Sequence, residues 1–347
     1  MQIQDSENNY LKKITINFAD KIQFPFKYNK PVIEGSGTKG AFDEKFVDVP
    51  FVFSKDNKFY MMYTGYDGIG YQTALAVSED LLDWKYLGMM LERNDDGHWD
   101  SYSIGGTWIL KEHNNLYELP ILKKVNGKYW LFYHAYPQYG FEEGSAKIGL
   151  AWCEEENLLH WNRQKEPILS PEEGEAWEQG GLYKSCIIHN EDTYYMFYNA
   201  KNKEREWLEQ TGYAVSKDLI HWERGKENPI LEVSAGQWDS RFVSDPYITK
   251  MNDIWINFYF GYDNTHAQGG LAVSKDLIYW EKYKSPILRV GSRTDIDGRH
   301  VHKASVIWYK DCFYYFYCAV REHMAGDKSF VLDEYRTISV ATSKPLG

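Results

Sequence analysis

The stretches SEDLLDW (78–84), SKDLIHW (216–222) and SKDLIYW (274–280) repeat one phrase, Ser-x-Asp-Leu-x-x-Trp. A looser copy, CEEENLLHW, ends at Trp161, and a truncated one, SKPLG, runs into Gly347. Self-similarity at near-fixed spacing marks a repeat architecture. It also sorts residues into those that every unit shares, which build the scaffold, and those peculiar to one unit, where function is to be sought.

Working outward, each unit follows one grammar. A starting phrase (VDVPFVF 47–53, YELPILK 117–123, YKSCIIH 183–189, SDPYITK 244–250, HKASVIW 302–308) precedes a turn such as Asp56-Asn57 or Asn126-Gly127. These are hairpin signals. An aromatic strand follows (KFYMMYTGY, KYWLFYHAY, TYYMFYNAK, IWINFYFGY, CFYYFYCAV), then a loop and a third strand such as TALAVS or GGLAVS. Ser-x-Asp-Leu-x-x-Trp then turns the chain into a fourth. Four antiparallel strands repeated five times predict an all-β, five-bladed β-propeller. The expected units are 46–91, 117–169, 182–231, 243–288 and 300–347, within a single domain, 1–347. The last unit lacks its fourth strand. FPFKYNKPVI (24–33) matches WERGKENPIL (222–231) in length and pattern, so the N-terminal segment is expected to supply that outer strand and leave no open edge.

Bulk composition agrees. Aromatic residues make up 17% of the 347, with 28 Tyr and 13 Trp, and flat rings fill pleated surfaces well. A net charge of -11 argues against a nucleic-acid partner, because phosphate binding needs a basic footprint. Cys153, Cys186, Cys312 and Cys318 follow no metal or disulfide spacing. No apolar run of about 18 residues is present, so no membrane partner is expected. MQIQDSENNYLKK lacks the apolar core of a secretory signal, and the expected location is cytoplasmic.

Antiparallel order puts the start of strand one, the end of strand two and the 2–3 loops on one face, with the Ser-x-Asp-Leu-x-x-Trp turns opposite. The strand-one starts offer Asp48, Glu118, Lys184, Ser244 and His302, followed by Val49, Leu119, Ser185, Asp245 and Lys303. The third unit's register leaves Tyr183 as an alternative to Lys184. The ends of strand two add Tyr66, Asp67, His134, Tyr136, Asn199, Lys201, Tyr262, Asp263, Arg321 and Glu322. Carboxylates and amides bind hydroxyls, and rings stack on sugar C–H faces, so a carbohydrate is the expected partner. Two carboxylates across a channel are the minimum for glycoside hydrolysis, and a third can tune the acid. The recurring aromatic-acid pairs, Phe42-Asp43, Trp99-Asp100, Trp177-Glu178, Trp238-Asp239 and Ile296-Asp297, are read as scaffold because every unit has one.

With these residues in place, the chain resembles the five-bladed propeller glycosidases, the superfamily of glycoside hydrolase families 32, 43, 62, 68, 117 and 130, over residues 24–347. In family-43 members an Asp on blade one is the base, an Asp on blade two tunes it and a Glu on blade three is the acid. Asp48 and Glu118 occupy the first two places, but blade three reads Tyr183-Lys184, with no Glu. Asp245 carries the family's Asp-Pro dipeptide on blade four. The invertase-type signatures are absent. The resemblance gives His302 two roles, as the acid in family-117-like members or beside a central calcium ion in some family-43 members; otherwise no cofactor is expected. Lys184, Lys303, Arg299 and Arg321 would suit an anionic group, including phosphate as in family-130 phosphorylases.

The resulting expectation is an exo-acting, inverting glycoside hydrolase. Asp48 activates water, Glu118 or His302 protonates the leaving oxygen, and Asp245 tunes or positions. Lys184, Lys303, Tyr66, Asp67, His134, Tyr136, Asn199, Tyr262 and Arg321 bind substrate. A phosphorylase using inorganic phosphate and a non-catalytic carbohydrate-binding propeller are the alternatives.

Overall fold

A computed structural model describes residues 2–93, 97–204 and 206–346, with side chains from Tyr10 onward. The Gly347 end of the truncated repeat lies outside the described residues.

Apart from an N-terminal helix, α1 (Gln2–Lys21), and one short 3-10 turn, the described chain is β-structure. The repeat had given no sign of the helix. Its Leu11, Thr15, Phe18 and Ala19 are buried, and it packs on the strands Ala267–Ser274 and Trp280–Lys282.

Five antiparallel units follow. The first is Phe46–Lys55, Lys58–Tyr66, Tyr71–Ser78 and Lys85–Leu91. The third, fourth and fifth open on Gly181–Asn190, Phe242–Met251 and His300–Tyr309. Single parallel bridges, Glu209 with Phe242 and Ala267 with His300, join these three into one sheet. The first strands of successive units pack side by side, and the fifth unit's also packs on the first unit's. The N-terminal segment pairs antiparallel with Glu334–Thr342, Phe26 opposite Thr342 and Ile33 opposite Ile338, at the place expected for it.

The second unit departs from the expected bounds. Its first strand is Ser103–Ile109, upstream of 117–123. The 110–123 segment is an excursion across the far end of the first strands. Ser54 N–H donates to the Pro120 carbonyl (2.8 Å), Leu116 N–H to the Lys250 carbonyl (2.8 Å) and Lys250 N–H to the Asn114 carbonyl (2.6 Å). Because 114–121 pairs with neighbouring units, it carries the alternation of a strand without being one of the unit's four.

The repeated phrase is a turn built from its own side chains. In each full copy the Ser hydroxyl accepts the N–H groups of the Asp and Leu, and the Asp carboxylate accepts the next two N–H groups, as at Ser216, Asp218, Leu219, Ile220 and His221. The Trp indole donates back to the Leu carbonyl (2.8 Å for Trp222). This geometry holds Leu81, Leu219 and Leu277 at φ between 70° and 73°, and Leu158 of the looser copy sits at 60°.

Four of the five aromatic-acid pairs, all but Phe42-Asp43, lock their units internally. Asp100, Glu178, Asp239 and Asp297 each accept the hydroxyl of a second-strand tyrosine: Tyr133, Tyr198, Tyr259 and Tyr317. Each also meets a fourth-strand cation: Arg163, Arg224, Lys282 and, on the N-terminal strand, Lys27. These carboxylates are consumed by the scaffold.

Candidate active site

The first strand of every unit is interrupted by a β-bulge near its start, between Asp48 and Phe51, Gly106 and Trp108, Tyr183 and Cys186, Ser244 and Tyr247, and His302 and Ser305. In four units the bulged residue is held at positive φ: Val49 (51°), Lys184 (30°), Asp245 (56°) and Lys303 (62°). Non-glycine residues seldom sit there, and bulges re-aim side chains next to functional sites. All four line one cavity of about 380 Å³. In the second unit Gly105 leaves room for His134, since a Cβ there would come within 2.9 Å of Nε2.

Of the expected residues, Lys184, Asp245, His302, Lys303, His134, Tyr136, Asn199 and Tyr262 line this cavity. The structure does not bring the others to its wall. Asp48 is fully buried, bound to Lys303 (2.5 Å) and 3.7 Å from Arg336. Burial pushes its carboxyl up, but the Lys303 and Arg336 cations outweigh that and hold it well below the usual range. Asp48 therefore fixes the cations of the cavity. Glu118 lies in the 110–123 excursion at the far end, with its side chain 59% exposed, bonded to Asn115 and 3.6 Å from His113. The excursion mistaken for a first strand accounts for its displacement. Tyr66 packs with Phe46, Tyr71 and Phe141. Asp67 pairs with Arg93 at 2.6 Å, and Arg321 with Asp327 at 2.6 Å.

His302 is neutral. Burial and the neighbouring Lys303 depress it far below the ordinary histidine value, and its Nδ1–H donates to the Cys318 carbonyl at 3.2 Å. That removes it as a proton donor. Its cationic surroundings also suit a metal ion poorly, and among the described residues no group of three or more His, Cys, Asp or Glu is arranged to hold one.

Three carboxylates absent from the expected set line the cavity: Glu142, Glu209 and Glu334, the last bound by Arg336 at 2.6 Å. Glu209 opens the third strand of unit three. Its Oε2 accepts from Asn199 (3.0 Å) and Ser244 (2.9 Å), and its Oε1 accepts from the Trp207 indole (2.9 Å). Burial, then the nearby Asp245 and Glu142 charges, push it up to about 7 against these donors. Glu142 lies in the 2–3 loop of unit two. Its Oε1 accepts the Tyr71 hydroxyl (2.9 Å) and lies 3.7 Å from Lys303. Glu142 and Glu209 both sit where antiparallel order directed the 2–3 loops. That direction was the available signal, though the loops share no repeat by which to align them. Burial, outweighing the nearby lysines, raises Asp245 to about 6. Among the described residues, its Oδ2 and Lys184 Nζ have no hydrogen-bond partner.

The chain is similar in sequence and fold to known proteins. A model of the glycosyl hydrolases family 32 N-terminal domain matches residues 113–296, and one of beta-1,4-mannooligosaccharide phosphorylase matches residues 11–179. The first match takes in more than half of the chain, which belongs to that family and, through it, to the propeller glycosidase superfamily. Two curated relatives come from Thermoanaerobacter sp. (strain X514). The 1,2-beta-oligomannan phosphorylase is 29% identical over 33% of this chain and 41% of its own length; the beta-1,2-mannobiose phosphorylase is 28% identical over 34% and 43%. The chain thus spans less than half the length of either. Among solved structures, a complex of BT0996 with RGII in its description is 29% identical with a TM-score of 0.82, and a glycoside hydrolase 28% identical with 0.83. Each is matched over 96% of its own length and 96% of this protein's. Zg3597, a family 117 glycoside hydrolase of Zobellia galactanivorans, shares the fold at 14% identity and a TM-score of 0.63, over 92% of each protein.

Proposed function

We propose that this protein is an exo-acting glycoside hydrolase on a closed five-bladed propeller, with Glu209 as general acid and Glu142 as its carboxylate partner. The observation that carries the reading is that two of the carboxylates on one cavity, Glu209 and Glu142, stand in contrasting surroundings. One is buried and raised to about 7; the other is bound by a lysine and a tyrosine hydroxyl. A buried carboxyl whose proton affinity is raised toward neutrality suits a general acid. A cavity of about 380 Å³ is near the small end for ligand sites, which suits one terminal sugar better than a threaded chain.

In this mechanism Glu209 donates its proton to the departing glycosidic oxygen. Glu142 acts on the opposite side, either on water or directly at the anomeric carbon. Asp245 and Lys184 are free to hold hydroxyls of the bound ring. Asp48 keeps Lys303 charged and in place beside Glu142. The anomer of the first-formed product, read by NMR, distinguishes the two routes.

A phosphorylase is the second reading, supported by the buried, unpartnered Lys184 beside Lys303 and by the phosphorylase activity of the curated relatives. A screen of nitrophenyl furanosides and pyranosides, with and without inorganic phosphate, separates them. Release independent of phosphate supports hydrolysis, and a sugar phosphate product replaces that reading. Full activity in Glu209→Gln would remove the acid assignment from both.

A further inference from the structure

One side chain of the cavity belongs both to the acid and to the surface. Trp207 lies on the 2–3 loop of unit three, and its indole N–H donates to Glu209 Oε1 at 2.9 Å. The ring is 37% exposed, an unusual state for a tryptophan committed to a buried carboxylate. The loop is tied at its base, where Leu208 N–H donates to the Asn202 side-chain oxygen (3.0 Å) and Asn202 N–H to the Leu208 carbonyl (3.1 Å). The Lys201 ammonium sits 3.6 Å from the ring centroid.

From this ring an aromatic wall runs down one side of the cavity. Trp207 and Phe242 centroids are 5.4 Å apart, Phe242 and Tyr262 4.9 Å, and Tyr262 and His300 5.9 Å. All four line the cavity. A general acid must stand beside the oxygen that leaves, so the leaving group lies on the Glu209 side, against the outer end of this wall. The exposed part of the Trp207 ring, beside the Lys201 ammonium, offers carbon surface to the C–H groups of a pyranose or furanose.

Resting on the assignment of Glu209 as acid, we infer that Trp207 is a positioning residue with two functions: it orients the acid through its indole N–H, and its ring receives the leaving-group sugar. The substrate class is then an oligosaccharide whose second ring stacks on Trp207, rather than a glycoside of a small alcohol. An N–H donated to a carboxylate favours the charged form, so Trp207 holds the acid's proton affinity below what burial alone would set.

The test needs no known substrate for its first arm. In protein labelled with 15N at the indoles, the Trp207 resonance, identified by its loss in Trp207→Phe, is expected to titrate with the acid. That titration is expected to vanish in Glu209→Gln. An indole signal that ignores pH between 5 and about 9, a window that spans the acid's transition, overturns the coupling. In the second arm, Trp207→Phe keeps a ring but removes the donor. The alkaline limb of its kcat/KM profile is expected to move up by roughly one unit. KM for an oligosaccharide is expected to stay near the parent value in Trp207→Phe and rise roughly tenfold in Trp207→Ala, with a smaller change for the nitrophenyl glycoside. Equal KM changes in both variants and for both substrates overturn the stacking function. If Glu209→Gln is fully active, the acid assignment fails first, and the indole titration tells that failure from a failure of Trp207.

Discussion

Asp48 and Lys303, 255 positions apart, meet at 2.5 Å at the junction of the first and fifth units. The pair is buried, and Arg336 approaches the same carboxylate at 3.7 Å. Removing one partner of such a pair leaves uncompensated charge inside the protein.

Asp48→Asn is therefore expected to destabilise the fold by about 3–5 kcal/mol as well as slow turnover. The Asp48 carboxyl is depressed in the folded state, so its stabilisation is fully present above the unfolded value of about 3.9 and is lost as pH falls through the lower folded value. Thermal melts of parent and variant should differ most near neutrality and converge in strong acid. Equal melting temperatures at pH 7 would show that the pair contributes nothing.

The acid assignment makes a separate prediction. Glu209 must be protonated to act, so kcat/KM should fall as pH rises through about 7. Glu209→Gln should lose roughly 10²–10⁴-fold on substrates with poor leaving groups and far less on nitrophenyl glycosides, whose leaving group needs little protonation. Parallel losses on both kinds of substrate would point to a binding role instead.

What the sequence could disclose divides along the repeat. The turns around Ser216 and Ser274 and the fourth strand at 26–34 were legible because local hydrogen bonding and spacing determine them. The scaffold role of Asp100 and Asp297 was legible for the same reason. Lys184, Asp245 and Lys303 were found because the strand-one starts align on the repeat, although Lys184 stands one place later than that alignment puts it, at the bulge with Val49, Asp245 and Lys303. Glu142, Glu209 and Trp207 were missed because they occupy 2–3 loops and a third-strand start, whose lengths differ from unit to unit. Glu118 was misplaced because 114–121 pairs with Ser54 and Lys250 in neighbouring units and so imitates a strand start.

Glu118 supplies a control. Its side chain is mostly exposed, and its contacts with Asn115 and His113 lie at the far end. Glu118→Ala should change stability by no more than about 0.5 kcal/mol and leave kcat/KM unaltered. A large loss of activity would mean that the far end communicates with the cavity.

The last prediction concerns the N-terminal strand. Lys27 reaches the fully buried Asp297 at 2.6 Å, the place taken by Arg163, Arg224 and Lys282 in three other units. That equivalence makes residues 26–34 a true fourth strand rather than a tail resting on the surface. Lys27→Met should cost about 3–5 kcal/mol, because the buried Asp297 loses its ammonium partner and, among the described residues, retains the Tyr317 hydroxyl and the Gly291 N–H. Deleting residues 1–34 does more, because it bares the edge of Glu334–Thr342, whose buried side chains and unpaired backbone groups offer a template for another chain. Size-exclusion chromatography should show the deleted protein as oligomers or aggregate, while Lys27→Met remains monodisperse but melts earlier. A truncated protein that stays monodisperse with an unchanged melting temperature would show that the fifth unit stands without its borrowed strand.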